Sequence, residues 1–361
     1  MGVMATAIPA KADLTAEIVT AEDATGYRSE VRAFVTEHFA AIKSDNRELL
    51  SRSRDAIVNS AITSTPARSQ SFLQLLSQEV DAQARPALAS MSPAARLNTA
   101  IIVARLSRAG QASELQKTVE LLIADQTPAI SMWGLQAARS ILPVILSDPL
   151  LKQNEKVIAA AAAAVQTHQE QGPVAAEAYR ALLGEVEAIT RDPARRQRNR
   201  ELLAAIAPTL IDGAHDILGA RIGVYATGAM PNDPMTDYSD GIRVLALPAV
   251  WSLQSAEQRD TTMKRVLELL KVTRKNVDST NAAQIDQFRE LGRGLGSVCA
   301  AVDPSVPNAA ALQKAGNDLN RVGRANSVQQ IQTLIDNLIV AVPASFPNVL
   351  PGAKTGTTPA N

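Results

Sequence analysis

Three carboxylates and a tyrosine lie within the segment 228–241, whose sequence GAMPNDPMTDYSDG interrupts an otherwise helical pattern. The side chains that could act there are Asp233, Asp237, Tyr238 and Asp240. Oxygen-rich loops hold Ca²⁺ when their ligands alternate around a sharp glycine turn. An EF-hand starting at Asp237 would need glycine at its sixth position, but Gly241 stands at the fifth. Asp and Asn beside Pro and Gly also form ordinary turns, so we interpret 228–241 as a connecting loop and its side chains as candidates for binding only.

A run of arginines lies at 191–200, with the sequence RDPARRQRNR. The candidates for contact with phosphate are Arg195, Arg196, Arg198 and Arg200. Acidic neighbours partly neutralise this run, and no aromatic residue stands among the arginines to stack on a base. The four positions also spread around a helix instead of following one face. The run therefore favours a solvated helix start over a nucleic-acid patch.

The other side chains that could do chemistry are the three histidines and the single cysteine, namely His38, His168, His215 and Cys299. None of the histidines has the H-x-x-x-H spacing of a zinc site on a helix. Cys299 lies in the apolar pattern SVCAAV, which indicates a buried helical face where a thiol is inert. We therefore expect no catalytic residue, no metal and no cofactor.

A glycine-rich stretch, GRGLG at 292–296, is superficially similar to a phosphate-binding loop. It lacks the preceding strand, the spacing of the third glycine in G-x-G-x-x-G and the lysine of a P-loop. It also interrupts a helical pattern, so we interpret it as a site of close helix packing or a kink.

Composition favours an all-α fold. The 361-residue chain is 46% hydrophobic but only 3% aromatic, so aliphatic side chains must fill its core, as in closely packed helices. Its 36 basic and 36 acidic residues cancel, which removes any global attraction to nucleic acid or to anionic membranes. One cysteine excludes an intrachain disulfide framework. No uninterrupted apolar run approaches the roughly 18 residues of a membrane span, so we predict no transmembrane segment.

Helical periodicity recurs along the chain with start and stop signals. Capping-box spacing, S-x-x-Q, occurs at Ser113, Ser255 and Ser327, each followed by one apolar stripe. No stretch shows the alternation of a strand. The predicted helices lie near 22–43, 45–62, 67–83, 93–108, 112–124, 129–142, 150–169, 174–190, 196–226, 241–253, 256–273, 280–301, 308–322 and 327–341.

Three of these helices open with a proline, at Pro93, Pro128 and Pro173, a position where the missing N–H would be unbonded anyway. Small residues follow each proline. Over about 90–190 this pattern resembles the HEAT/armadillo class of helical repeats, in which a helix pair recurs about every 40 residues. The resemblance implies stacked antiparallel hairpins in an α-α superhelix. An irregular helical bundle would produce the same periodicity.

The predicted organisation is a flexible N-terminus at 1–20, a helical array at 21–227, the connecting loop, a second array at 242–342 and a disordered tail at 343–361. Ala10-Lys11-Ala12 is similar to the end of a cleaved secretory signal, which would make the protein exported; otherwise we expect it to be cytoplasmic.

We predict a non-catalytic protein-binding or scaffolding module that meets a protein partner over an extended helical surface. An all-α enzyme is the first alternative, with a pocket near 228–241 that gathers His215 and the three aspartates. A nucleic-acid-binding repeat protein is the second, although nucleic acid is the less favoured partner. The sequence leaves the oligomeric state open.

Overall fold

The computed structural model describes residues 14–44, 46–110, 112–147, 154–169, 171–226, 241–277, 282–323 and 326–350. Within these ranges all regular secondary structure is helical and no strand occurs, so the predicted all-α class is confirmed. The chain divides into two compact units, residues 1–144 and 145–361.

The first unit is built from two stacked hairpins. Its helices are α1 (Ala16–Thr20), α2 (Arg28–Lys43), α3 (Arg47–Ile62), α4 (Gln70–Ala87), α5 (Pro93–Gly110) and α6 (Gln116–Ile123), and α7 (Pro128–Ser147) begins in it. Helix α2 packs on α3 and α4, while α5 packs on α3 and α4. Corresponding helices of the hairpins α2–α3 and α4–α5 therefore contact one another. The buried stripe of α2, with Val31, Phe34, Val35 and Phe39, has the helical spacing that this stacking requires.

The second unit centres on two long helices. Its helices are α8 (Asn154–Thr167), α9 (Gly172–Arg191), α10 (Pro193–Arg198), α11 (Arg200–Ala226), α12 (Pro248–Trp251), α13 (Ala256–Asn276), α14 (Ala282–Ala300), α15 (Ala309–Asn320) and α16 (Val328–Ser345). Helix α11 packs on α8, α9 and α13, and α13 packs on α14 and α16. Helices before and after the predicted loop 228–241 thus belong to one unit. The division at 144/145 differs from the two arrays predicted on either side of that loop, because sequence neighbours do not reveal the pairing of α11 with α13.

Helix starts follow the sequence signals at most of the positions named above. Ser255 and Ser327 form complete capping boxes with Gln258 and Gln330, as predicted. Helices α5 and α7 begin at their predicted prolines, and Pro173 lies in the first turn of α9. The predicted box at Ser113 is wrong, because this serine opens a 3₁₀ turn and α6 begins only at the following Gln116.

Two glycines bring α14 and α15 into backbone contact. A Cβ atom on Gly296 would lie 2.7 Å from the carbonyl oxygen of Gly316. A Cβ on Gly316 would lie 2.5 Å from the carbonyl oxygen of Gly296 and 2.6 Å from the amide of Ala300. The predicted role of GRGLG in close helix packing is therefore confirmed at Gly296.

Two helices, Pro128–Leu146 and Arg200–Ala226, are long and apolar enough to cross a membrane. Uninterrupted apolar runs do not reveal them, because polar residues such as Asp212 break the second one. Their most apolar windows are 50% and 56% buried inside the protein, as is usual for core helices. The absence of a transmembrane segment stays a prediction.

Parts of both predicted flexible ends are ordered. In α1, Ile18 and Val19 are buried. After α16, Phe346 packs edge-on against Trp251 with 6.1 Å between ring centroids, and Asn348 donates to Asp260 at 2.7 Å. Apolar burial therefore holds residues 343–350 on the fold instead of leaving them in a disordered tail. Residues 351–361 and Ala10-Lys11-Ala12 lie outside the described residues.

Candidate functional site

An apolar cavity of about 320 Å³ lies in the second unit, between residues 242–248 and α14. Its lining residues are Ile242, Arg243, Ala246, Leu247, Pro248, Leu291, Gly294, Leu295, Ser297, Val298 and Ala301. Ser297 and Ala301 are exposed, whereas Leu295 and Val298 are buried. The cavity therefore has an apolar floor and opens to solvent.

Helical periodicity explains how α14 forms one wall. Leu291, Leu295 and Val298 recur at the spacing of a single helix face, and Gly294 leaves space on that face because it has no side chain. The glycine contact with α15 fixes the helix from its other side. One helix thus combines a close packing surface with a cavity wall.

The two polar side chains that line the apolar cavity are engaged elsewhere. The guanidinium of Arg243 forms an ion pair with Glu187, with 3.3 Å between Nη1 and Oε1. The hydroxyl of Ser297 donates to the carbonyl oxygen of Arg293 at 3.0 Å within its own helix. Neither side chain is arranged to orient a polar ligand in the cavity.

A separate polar cavity of about 590 Å³ lies between α11 and the start of α13. Asp212, His215 and Asp216 face it from α11, and Glu257 and Gln258 face it from α13. The carboxylates of Asp212, Asp216 and Glu257 are exposed, whereas His215 is only 3% exposed. This cavity is therefore acidic at its mouth and holds a buried imidazole.

A chain of hydrogen bonds determines the proton position on His215. The amide of Gln254 donates to the carbonyl oxygen of Leu245 at 2.7 Å, so its Oε1 atom accepts from the Thr262 hydroxyl at 2.7 Å. Thr262 has no second proton to donate. The contact of 2.7 Å between Thr262 Oγ1 and His215 Nε2 therefore requires Nε2 to donate, and Nδ1 is the unprotonated nitrogen of a neutral ring.

Burial keeps His215 neutral. It lowers the pKa of the imidazole from 6.5 to about 4; Asp212 opposes this shift and the nearby Arg265 adds to it. A histidine that activates a hydroxyl nucleophile must accept the hydroxyl proton, whereas His215 donates to Thr262. The pair is thus oriented against nucleophilic catalysis.

Cys299 does not supply a nucleophile to either cavity. Its side chain is fully buried in α14, and burial raises the pKa of the thiol to about 12. Since the thiolate is the reactive form, the thiol stays inert at neutral pH, as the sequence predicts.

The arginine candidates Arg195, Arg196, Arg198 and Arg200 line neither of these cavities. Asp233, Asp237, Tyr238 and Asp240 lie outside the described residues. Gly241, the described end of that segment, lies so close to α9 that a Cβ would be 2.9 Å from the ring of Tyr179.

The arginine run begins with an engaged side chain, since Arg191 pairs with Glu187 at 2.5 Å. Arg195 also pairs, with Glu185 at 2.9 Å. Arg196, Arg198 and Arg200 are exposed at the junction of α10 and α11. The arginines that lie over aromatic rings in the described part of the chain are Arg105, Arg221 and Arg259, none of which belongs to this run.

All three histidines are buried, and no group of three or more metal-ligating side chains occurs among the described residues. His38 packs edge-on against Phe34 with 4.5 Å between ring centroids, a contact typical of a core residue. His215 is the one histidine that lines a cavity described here.

The partners of His215 carry no signal in the sequence. Gln254 and Thr262 follow it in the chain by about 40 residues or more and carry no motif of their own. Only the capping box at Ser255 marks where α13 begins, and hence where its polar first turn meets α11.

Comparisons with protein-family models, with curated proteins and with solved structures found no match to this chain.

Proposed function

We propose that the protein is a non-catalytic binding module that takes up large apolar side chains of a protein partner in the apolar cavity. The observation that carries this proposal is the lining of the cavity, which is apolar apart from Arg243 and Ser297. An open apolar cavity of this kind marks a binding site more often than a site of chemistry.

The two polar side chains of the apolar cavity already bond other parts of the protein, and this favours a protein as the ligand over a small molecule. Small ligands are oriented by a few polar groups that converge in the pocket. Here Arg243 forms an ion pair with Glu187 and Ser297 donates a hydrogen bond within its own helix, so neither side chain is placed to orient a small ligand. Orientation must then come from contacts around the mouth, which a protein partner provides.

The stacking in the first unit supports a helical scaffold. Corresponding helices of α2–α3 and α4–α5 pack against each other, as the hairpins of HEAT-like repeats do. We extend the proposal to a HEAT-like arrangement of these hairpins, whose exposed faces would offer a surface of their own for protein contact.

The enzyme alternative places its pocket near 228–241 together with His215, and among the described residues His215 lines the polar cavity. It is disfavoured by the direction of the hydrogen bond from His215 to Thr262. Nucleic-acid binding is disfavoured by the zero net charge and by the pairing of Arg195.

The experiment is affinity purification of tagged protein from its own host at low salt, with bound material identified by native mass spectrometry. Ala301→Phe fills the mouth of the apolar cavity. Ala311→Phe, at an exposed position of α15 that does not line the cavity, is the matched control.

We expect wild type and Ala311→Phe to retain one stoichiometric protein that Ala301→Phe loses. Recovery of the wild-type protein alone would refute the proposal. Equal retention by both variants, or a small apolar molecule in place of a protein, would refute it as well.

A further inference from the structure

The first unit contains a pocket of about 570 Å³ with three arginines, which we call the arginine pocket. It lies between the end of α3, the loop 63–69 and the last turns of α5. Arg68, Arg105 and Arg108 line it together with Ile62 and Leu73, and no carboxylate is among its lining residues. Three cations without an anion among the lining residues make this pocket unlike the other two cavities.

Two backbone oxygens hold Arg68 in place. Its Nε atom donates to the carbonyl oxygen of Ser60 at 2.6 Å, and its Nη1 atom donates to that of Pro66 at 2.7 Å. These acceptors are neutral, so they orient the guanidinium without cancelling its charge. Burial without a compensating carboxylate lowers the pKa of Arg68. An anion placed in the pocket would supply the missing compensation.

Arg105 and Arg108 add two exposed guanidiniums from one face of α5, where residues three apart are neighbours. Arg105 lies over the ring of Trp133, with 5.8 Å from its Cζ to the ring centroid. Neither forms an ion pair with the described residues. By contrast, Arg96 on the same helix pairs with Asp125 at 2.8 Å. The two arginines thus face the pocket with their charge available.

An apolar edge adjoins the cations. Ile62 is 50% exposed, which is unusual for so large an aliphatic side chain in this protein, and Leu73 contributes to the same pocket. A ligand that matched the whole pocket would therefore carry an anionic group on an apolar body.

We propose that the arginine pocket binds a phosphate group carried on an apolar body. Arginine forks bind phosphate oxygens with paired, charge-assisted hydrogen bonds. Arg68 is fixed for this by Ser60 and Pro66, Arg105 and Arg108 supply the further donors, and Ile62 covers the apolar part. A soluble phosphate ester and the headgroup of an anionic phospholipid share this chemistry. The pocket lies in the first unit and the apolar cavity in the second, so either proposal can fail without the other.

The test uses the full-length protein with three probes at constant ionic strength. Inorganic phosphate and phenyl phosphate are titrated by calorimetry. Vesicles of phosphatidic acid and phosphatidylcholine are tested by cosedimentation against vesicles of phosphatidylcholine alone. The test variant is the double substitution Arg105→Gln and Arg108→Gln, which leaves the structural contacts of Arg68 intact.

The control is the double substitution Arg196→Gln and Arg198→Gln, which removes the same charge from exposed positions in α10. Circular dichroism confirms that both variants fold. We expect saturable binding that weakens about tenfold or more in the test variant and is unchanged in the control, since only the test variant loses charge-assisted hydrogen bonds to the phosphate. Phenyl phosphate should bind more tightly than inorganic phosphate because its ring covers Ile62.

Comparison of the three probes distinguishes a lipid headgroup from a soluble phosphate ester as the source of the phosphate. Binding to phosphatidic acid vesicles alone identifies a lipid headgroup, and binding to the soluble probes alone identifies a free phosphate ester. The proposal is overturned if none of the three probes binds, or if the test variant binds as tightly as the control.

Discussion

Replacing Gly316 with alanine should force α14 and α15 apart. The new Cβ would lie 2.5 Å from the carbonyl oxygen of Gly296 and 2.6 Å from the amide of Ala300, whereas ordinary contact begins at 3.4 Å. Both contacted atoms belong to the main chain, so neither can rotate away. The helices would have to separate by up to about 0.9 Å, the difference between those distances.

The expected loss follows from two opposing terms. Overpacking a tight contact costs about 1–3 kcal/mol, and the backbone clash places this substitution near the upper end. The higher helix propensity of alanine stabilises the folded state by about 1 kcal/mol and so offsets part of this loss. The net destabilisation is about 2 kcal/mol, or about 4–8 °C in melting temperature for a unit of this size.

Gly223→Ala is the matched control, because no atom lies within 4 Å of its added Cβ in α11. It should stabilise the protein by about 0.5–1 kcal/mol. Urea and thermal unfolding of both variants, followed by circular dichroism at 222 nm, measure the difference. If Gly316→Ala also stabilised the protein, the backbone contact between α14 and α15 would be wrong.

Three further outcomes follow from the second unit. His215 has a pKa of about 4 in the fold against 6.5 when unfolded, so the unfolded state binds its proton first as the pH falls. Up to about 3 kcal/mol of the free energy of unfolding is then lost between pH 6.5 and 4. This loss should be smaller in His215→Gln. If wild type and His215→Gln showed the same pH dependence of the melting temperature, this assignment to His215 would be contradicted. Cys299 should resist a thiol-reactive disulfide reagent at pH 8 until urea unfolds the protein, and rapid labelling of the native state would show that it is accessible. Ser255→Ala should lower the free energy of unfolding by about 1 kcal/mol, because it removes the capping box of α13. The control Ser252→Ala, at an exposed serine, should change it by almost nothing. Equal urea midpoints for the two variants would show that the capping box does not stabilise the protein.

The sequence predicts the helices well because their signals are local. Ser255 and Gln258 stand three residues apart and reveal the start of α13 directly. Apolar spacing likewise predicts that Cys299 is buried. These features depend on neighbours within one or two helical turns, which a single sequence displays.

The cavities could not be predicted because they depend on pairing between distant helices. His215 and Thr262 meet across 47 residues, and no spacing rule links them. Arg68 and Arg105 come together only because α3, its following loop and α5 pack side by side. In the sequence these arginines are less conspicuous than the run at 191–200, although that run starts with Arg191, which is paired with Glu187.

Helix α14 packs closely on α15 with one side and forms a wall of the apolar cavity with the other, and this has a consequence for how the sequence of this protein can diverge. On the side that contacts α15, positions 296 and 316 accept only glycine without moving the backbone, since any Cβ would clash with main-chain atoms. On the cavity side, Leu291, Leu295 and Val298 can exchange with other aliphatic side chains at little cost. Mutational drift should therefore reshape the cavity and its selectivity while its wall keeps its position. Descendants of one ancestor could then acquire different partners while the packing of α14 against α15 stays unchanged.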